Sequence, residues 1–340
     1  MKAQYAFSNT LSFRRLFLLL FLVAAFTACD EDVALYTDGQ PVPIVYGLLD
    51  PMSDVQYIRI GRSYTGGADA MNRPPVTDST VWNIDHEVYL EEYTNGEKGE
   101  TYWFEPDSTI RKDTGFFPVS NLRVYSSALK PVAGNTYQLY VYFPDLDKMV
   151  SAKTVVNGSP QILDPLPLSI RKINFEQGQP YTIRWYPGVS TGVYQLIFRI
   201  HYRDSSAFGT EFKSADYESP GIYNHQTSQM LEFGMGGLAF FTAMAYKIPV
   251  ISGIVREVIS VEFIMVSGGT DLGIHYQSTI ETGNNFTNLG VYSNLGNGLG
   301  IFSSRIRTSV PNLTLSGVTL DELAHGEITR SLGFKDSKRQ

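Results

Sequence analysis

Residues Val193 to Asp204 read VYQLIFRIHYRD. Tyr194, Leu196, Phe198, Ile200 and Tyr202 share one parity, while Gln195, Arg199, His201 and Arg203 share the other, with Ile197 among them. Successive side chains of an extended chain point to opposite faces, so this is a strand with one buried and one mostly wet face. The same period recurs in Thr136 to Phe143, TYQLYVYF, where Tyr137, Leu139, Val141 and Phe143 fall on one face. Around these two segments the composition is rich in what sheets and turns need: 21 Tyr, 20 Phe, 30 Gly and 17 Pro in 340 residues. Aromatic side chains suit a pleated, half-buried surface, and Gly and Pro supply the turns. The expected fold class is mainly β.

On the N-terminal side, Ile44 to Leu49, Val55 to Tyr64, His86 to Thr94, Glu100 to Phe104, Thr136 to Phe143 and Met149 to Val156 read as strands. Roughly seven short strands in such a span predict a β-sandwich of immunoglobulin-like kind over residues 42–157. Asn95-Gly96 marks a hairpin, expected with a loop longer than two residues. Residues 158–168, rich in proline, read as a linker. Residues 169–330 then form a second β-rich domain with one or two inserted helices. Its parts are a strand at Tyr181 to Tyr186, the strand quoted first, and a polar, irregular stretch over 205–230. A buried helix follows at Gly236 to Lys247, ending before Pro249. Glu257 to Val266 and Leu299 to Arg307 are further strands, and 271–281 is ambiguous. Thr319-Leu320-Asp321-Glu322 fits a capping box before a short helix. Residues 331–340 read as a frayed tail.

The chain begins with an address. Lys2, Arg14 and Arg15 make the leader basic, and Leu16 to Ala25 is an unbroken apolar run. That run is about half of the ~20 residues a membrane-crossing helix requires, so it reads as a secretory signal over residues 1–28. The single cysteine, Cys29, follows it directly in Phe26-Thr27-Ala28-Cys29, which resembles a lipobox despite Phe26 where an aliphatic residue is usual. Cys29 is therefore expected to carry lipid after cleavage and to anchor the chain to a membrane. Asp30, Glu31 and Asp32 open an acidic tether over 29–41 and resemble the acidic run of surface-exported lipoproteins. Loss of the leader takes the formal charge from −7 to −10. An acidic surface repels phosphate backbones, which sets nucleic acid aside as a partner.

A search for chemistry finds little. There is no HExxH, GxSxG elbow, P-loop or GxGxxG, and His86, His201, His225, His275 and His325 lack ligand-like spacing. No cofactor and no metal are expected, and the chain is expected not to be an enzyme. Arg199, His201 and Arg203 could form an anion-binding row, but a solvated sheet face explains them more simply. Asp145 and Asp147 are too few carboxylates for a calcium site. Trp82, Trp103 and Trp185 could stack on sugars if exposed. Asp-Ser-Thr occurs at 78–80 and 107–109 and resembles an O-glycosylation sequon of exported Bacteroidetes proteins, with Ser79 and Ser108 as acceptors.

Three stretches carry a further resemblance. They are PVPIVYGLLD at 41–50, GGLAFFTAMAYKIP at 236–249 followed by VISVEFIMVSGG, and LGVYSNLGNGLGIF at 289–302. The last resembles the SN-x-x-x-G-x-G-x-F closing signature of a Bacteroidetes outer-membrane lipoprotein family of unknown function, often encoded near TonB-dependent receptors. The glycines there, Gly296, Gly298 and Gly300, read as a tight turn and close packing before a strand. The resemblance implies a non-enzymatic accessory lipoprotein at the cell surface, with an outer-membrane receptor as partner. A glycan-binding lipoprotein is the alternative, and a hydrolase whose triad is hidden by sequence order is the third reading.

Overall fold

The computed structural model describes residues 41–63, 82, 84–110, 123–166, 172–223, 229–281 and 292–339. The leader, Cys29, the Asp30-Glu31-Asp32 run, Ser79 and His225 lie outside the described residues. The chain is mainly β, as the alternating segments predict. The first strands are β1 (Pro43–Leu49), β2 (Gln56–Arg62), β3 (Glu87–Thr94), β4 (Glu97–Pro106), β5 (Arg123–Ser127), β6 (Thr136–Phe143) and β7 (Lys148–Val155). There follow β8 (Gln161–Asp164), β9 (Pro180–Tyr186), β10 (Thr191–Ser206), β11 (Gly209–Glu218), β12 (Ile222–Tyr223) and β13 (Leu231–Gly236). Helix α1 (Gly237–Lys247), β14 (Val255–Gly269), α2 (Thr270–Glu281), β15 (Leu295–Gly296), β16 (Leu299–Leu313) and α3 (Gly317–His325) complete the order.

One long ribbon of strands runs β11-β10-β14-β16-β1-β2-β5-β4-β3-β6-β7-β15, with β12 added on β10. A second, three-stranded sheet has the order β13-β9-β8. Two cores result. The first is enclosed by β1 to β7 around Leu49, Ile58, Leu90, Tyr125, Leu139 and Phe143. The second lies between β10, β14 and the end of β16 on one side and β9, β13, α1 and α3 on the other, around Trp185, Phe198, Phe240 and Phe263. The inward parity read from Val193 to Asp204 holds: Tyr194, Leu196, Phe198, Ile200 and Tyr202 are all buried.

Strand β16 joins the halves. Its first part, Ile44↔Leu299 to Leu49↔Ser304, runs parallel to β1. Its second part, from Arg305 onward, pairs antiparallel with β14. Leu295 and Phe302 thus pack in the first core, far along the chain from the strands that surround them. The glycine-rich signature makes this possible. Asn297 has a left-handed φ of 62° and Gly300 a φ of 122°. A Cβ on Gly300 would sit 2.0 Å from the Val45 carbonyl oxygen, so the close approach of β16 to β1 requires glycine. The turn-and-packing reading of these glycines is the one the geometry supports.

Several local expectations change. Asn95-Gly96 is a two-residue turn, not a longer loop, with φ of 52° and 87° at its two positions, as a type I′ hairpin demands. The irregular stretch over 205–230 contains β11, which pairs with β10 from Ile197↔Glu218 to Ser206↔Gly209. It is polar because it is an edge strand with one neighbour, where charge blunts further pairing. The ambiguous stretch 271–281 is helical, giving three α-helices among the described residues. The N-cap of α3 is Ser316, whose side chain accepts from the Thr319 N–H, so the helix starts three residues before the expected cap and without a capping box. The tail is docked: the Lys335 N–H donates to the Arg256 carbonyl at 2.8 Å, and Lys335 Nζ meets Glu257 at 2.6 Å.

Candidate functional site

The residues singled out for chemistry are mostly engaged in structure. On the outer face of β10, Arg199 donates two bonds to Asp216 at 2.8 Å, and Arg203 meets Glu257 at 2.7 Å. His201 lies 3.7 Å from Glu262. The row is neutralised by carboxylates on neighbouring strands and is not free to hold an anion. Its pairs also hold Asp216 and Glu257 below the ordinary carboxylate range, through hydrogen bonds from Arg199 and from Lys335 and Arg203 respectively. His86 Nδ1 meets the Tyr125 hydroxyl, His275 Nδ1 meets the Tyr292 carbonyl, and His325 Nε2 meets Asp336. Among the described residues, no group of three or more His, Cys, Asp or Glu could hold a metal. Asp147 instead accepts from the Tyr142 hydroxyl within its turn.

Trp82 and Trp185 are 2% and 0% exposed, so neither presents a face to a sugar. Trp103 is 56% exposed. It leans on Tyr89 (centroids 4.8 Å), which in turn stacks on Tyr140 (5.0 Å, 21°) across β4, β3 and β6. Trp103 is thus a single exposed ring at the end of a short aromatic row, not one of a coplanar exposed strip of tryptophans. Ser108 is exposed beside Asp107, whose carboxylate accepts from the backbone and hydroxyl of Thr109.

The concavity that sequence reading missed lies beside α2. The N-terminal half of this helix is pressed onto the sheet by glycines. A Cβ on Gly192 would fall 2.7 Å from Thr270 Cα, one on Gly273 3.0 Å from Gly192, and one on Gly268 2.7 Å from the Leu272 side chain. Asp271 adds a clamp, accepting from the Tyr292 hydroxyl at 2.7 Å and from Thr154 at 3.4 Å. Burial and the Asp271 carboxylate together push the Tyr292 phenol up to about 12, so it stays a donor at physiological pH. Further along, the helix leaves the sheet. Leu272, Tyr276 and Thr279 are spaced i, i+4, i+7 and share one helix face. Leu272 is buried, whereas Tyr276 is 49% exposed, so the space widens into a wedge.

That wedge is a cleft of about 450 Å³. Its floor is the outer face of the sheet at Val193, Gln195, Val266 and Gly268, with Arg305 beside it on β16. Tyr223 and Gly221 close a third side. The signal available in sequence was the glycine cluster at 192, 268, 269 and 273, which marks close backbone approach.

The cleft abuts the place where β16 changes partners. Ser303 Oγ accepts from the Leu272 N–H at 3.2 Å. Next to it, Asn157 is fully buried: its N–H donates to Ser304 Oγ at 2.8 Å, its Oδ1 accepts from that hydroxyl at 2.7 Å, and its Nδ2 meets Ser267 Oγ at 3.2 Å.

Comparison with known proteins adds a family and no activity. No curated protein matches the chain. Among solved structures, the C-terminal globular domain of an oligosaccharyltransferase from Pyrococcus abyssi is similar at 13% identity and a TM-score of 0.23, over 69% of this chain and 50% of that one. A DUF4785 family protein from Legionella pneumophila is similar at 8% identity and a TM-score of 0.18, over 66% and 52%. The chain spans about half the length of these structures, and likenesses this distant say nothing of function. Residues 32–229, more than half of the sequence, match a domain of unknown function, and the chain belongs to that family, DUF4249.

Proposed function

We propose that this protein is a non-enzymatic, lipid-anchored outer-membrane lipoprotein of the cell surface. It binds a ligand or a partner and works beside an outer-membrane transporter of the TonB-dependent kind. The observation that carries the reading is the basic, short apolar leader running into the chain's single cysteine, Cys29. Asp30, Glu31 and Asp32 support display at the surface. The cleft supports binding over catalysis, because its described lining has neither a carboxylate nor an imidazole to move a proton. A hidden triad is disfavoured by the partners of His86, His201, His275 and His325, none of whose rings meets a Ser or Thr hydroxyl among the described residues. Burial of Trp82 and Trp185 takes away the main support for sugar stacking.

The test has two arms. Cys29→Ser is expected to abolish incorporation of labelled fatty acid and to release the protein from the membrane fraction. Unchanged label and fractionation would end the anchoring reading. Crosslinking in intact cells followed by pull-down is expected to recover an outer-membrane protein. Recovery of no envelope protein in repeated trials would end the partnering reading.

A further inference from the structure

We infer that the cleft beside α2 takes a ligand with a flat apolar body and one anionic group, with Arg305 as the group that meets the charge. This rests on the binding reading above and narrows it to a ligand class. The sheet floor at Val193 and Val266 and the helix side at Leu272 are apolar, and Tyr223 and Tyr276 also line the cleft. Such a slot excludes water from a planar body and presents aromatic surface to it. A volume of about 450 Å³ lies within the roughly 300–1,000 Å³ typical of small-molecule sites.

Arg199 and Arg203, on the same sheet, are each engaged by a carboxylate. Arg305 is exposed and, among the described residues, has no ion-pair partner. Two carboxylates near the cleft are already engaged: Glu218 by Gln195 at 3.3 Å and Lys247 at 2.7 Å, and Asp271 by the Tyr292 hydroxyl at 2.7 Å. Among the described residues, Arg305 is the only charged side chain lining the cleft, and so sets an unneutralised positive charge against a largely apolar surface. A guanidinium offers a planar fork of donors that matches a carboxylate, sulfonate or phosphate. The other lining residues with polar side chains, Tyr194, Gln195, Tyr223, Tyr276 and Thr279, include no carboxylate to oppose an anion.

Isothermal titration of the full-length chain in detergent, with empty micelles subtracted, tests this using two probes: 2-naphthalenesulfonate and its neutral counterpart 2-naphthalenesulfonamide. The expected result is saturable one-to-one binding of the sulfonate. Arg305→Gln should weaken the sulfonate by about tenfold while leaving the sulfonamide nearly unchanged, the loss expected for a charge-assisted contact. Thr279→Trp, on the exposed side of α2, should block both probes while circular dichroism shows an unchanged fold. If Arg305→Gln leaves sulfonate affinity intact but Thr279→Trp blocks binding, the cleft binds and the anionic class is wrong. If Thr279→Trp changes neither probe, or neither probe binds the wild-type chain, the inference falls. The anchoring and partnering experiments above are untouched by either failure, so the two levels are judged separately.

Discussion

His86 shows how a single buried side chain ties this fold to pH. The ring is enclosed by Phe143 (centroids 4.5 Å) and Trp82 (5.8 Å), and its Nε2 has no hydrogen-bond partner among the described residues. Its backbone N–H donates to the Tyr125 hydroxyl at 2.9 Å, and Nδ1 lies 3.2 Å from the same oxygen. Burial in this apolar setting lowers its pKa from 6.5 to about 4, against the opposing pull of Asp145. Between those values the unfolded chain takes up a proton that the folded chain refuses. Stability is therefore complete above about pH 6.5 and is lost as pH falls toward 4. The loss amounts to roughly 3 kcal/mol at about 1.4 kcal/mol per unit. Urea midpoints measured from pH 7 to pH 4 should show it, and His86→Phe should flatten the part of that slope due to this ring. An identical slope in His86→Phe would remove the assignment.

At the scale of an element, the closing signature acts as a staple. Asn294 Nδ2 donates to the Phe302 carbonyl at 2.7 Å, and Asn294 Oδ1 accepts from the Phe302 N–H at 3.0 Å. One side chain thus satisfies both backbone groups of a fully buried residue at the start of β16. Leu295 meanwhile pairs with Ala152 of β7, and Asn297 Nδ2 donates to the Met149 carbonyl. Asn294→Ala leaves two buried polar groups unmet and should cost on the order of 2 kcal/mol. Asn294→Asp keeps the acceptor but sets a carboxylate oxygen against the Phe302 carbonyl, so it should cost at least as much. Equal urea midpoints for wild type and Asn294→Ala would show that water replaces the staple. This element was legible in part: its glycines announced a tight turn, but the asparagine's pair of hydrogen bonds to a residue eight positions on has no signature in composition.

Across the whole molecule, β16 is the shared member. It contributes Phe302 to the first core and Val310 and Leu313 to the second. A strand cannot leave one sheet and keep its register in the other, so the two cores should melt as one unit. The buried Asn157, Ser267 and Ser304 network at the crossing reinforces this, since opening it would strand several polar groups. Chains that retain only Trp82, in the first core, or only Trp185, in the second, with the other tryptophans replaced by Phe, should give superimposable thermal curves. Midpoints separated by several degrees would mean that the cores unfold independently. Buried Arg256 closes the second core in the same spirit, meeting Asp204 at 2.9 Å and the carbonyls of Pro249 and Leu332. That pairing fixes the end of the chain, which sequence composition alone made look frayed.

The sequence by itself determined the class of the fold, because parity along Val193 to Asp204 and Thr136 to Phe143 is a local property with a period of two. It likewise placed the hairpin at Asn95-Gly96 and the helix ending before Pro249, where backbone preference acts over a few residues. It did not determine β11, whose polarity comes from standing at a sheet edge, nor the fate of the Arg199, His201 and Arg203 row, which depended on the carboxylates of neighbouring strands. The cleft at α2, and the place of Arg305 in its lining, were decided only in three dimensions. They arise from where glycines at 192, 268 and 273 let a helix touch a sheet, and from β16 passing between two cores. Both are contacts between distant segments, and no local pattern encodes which segments will meet.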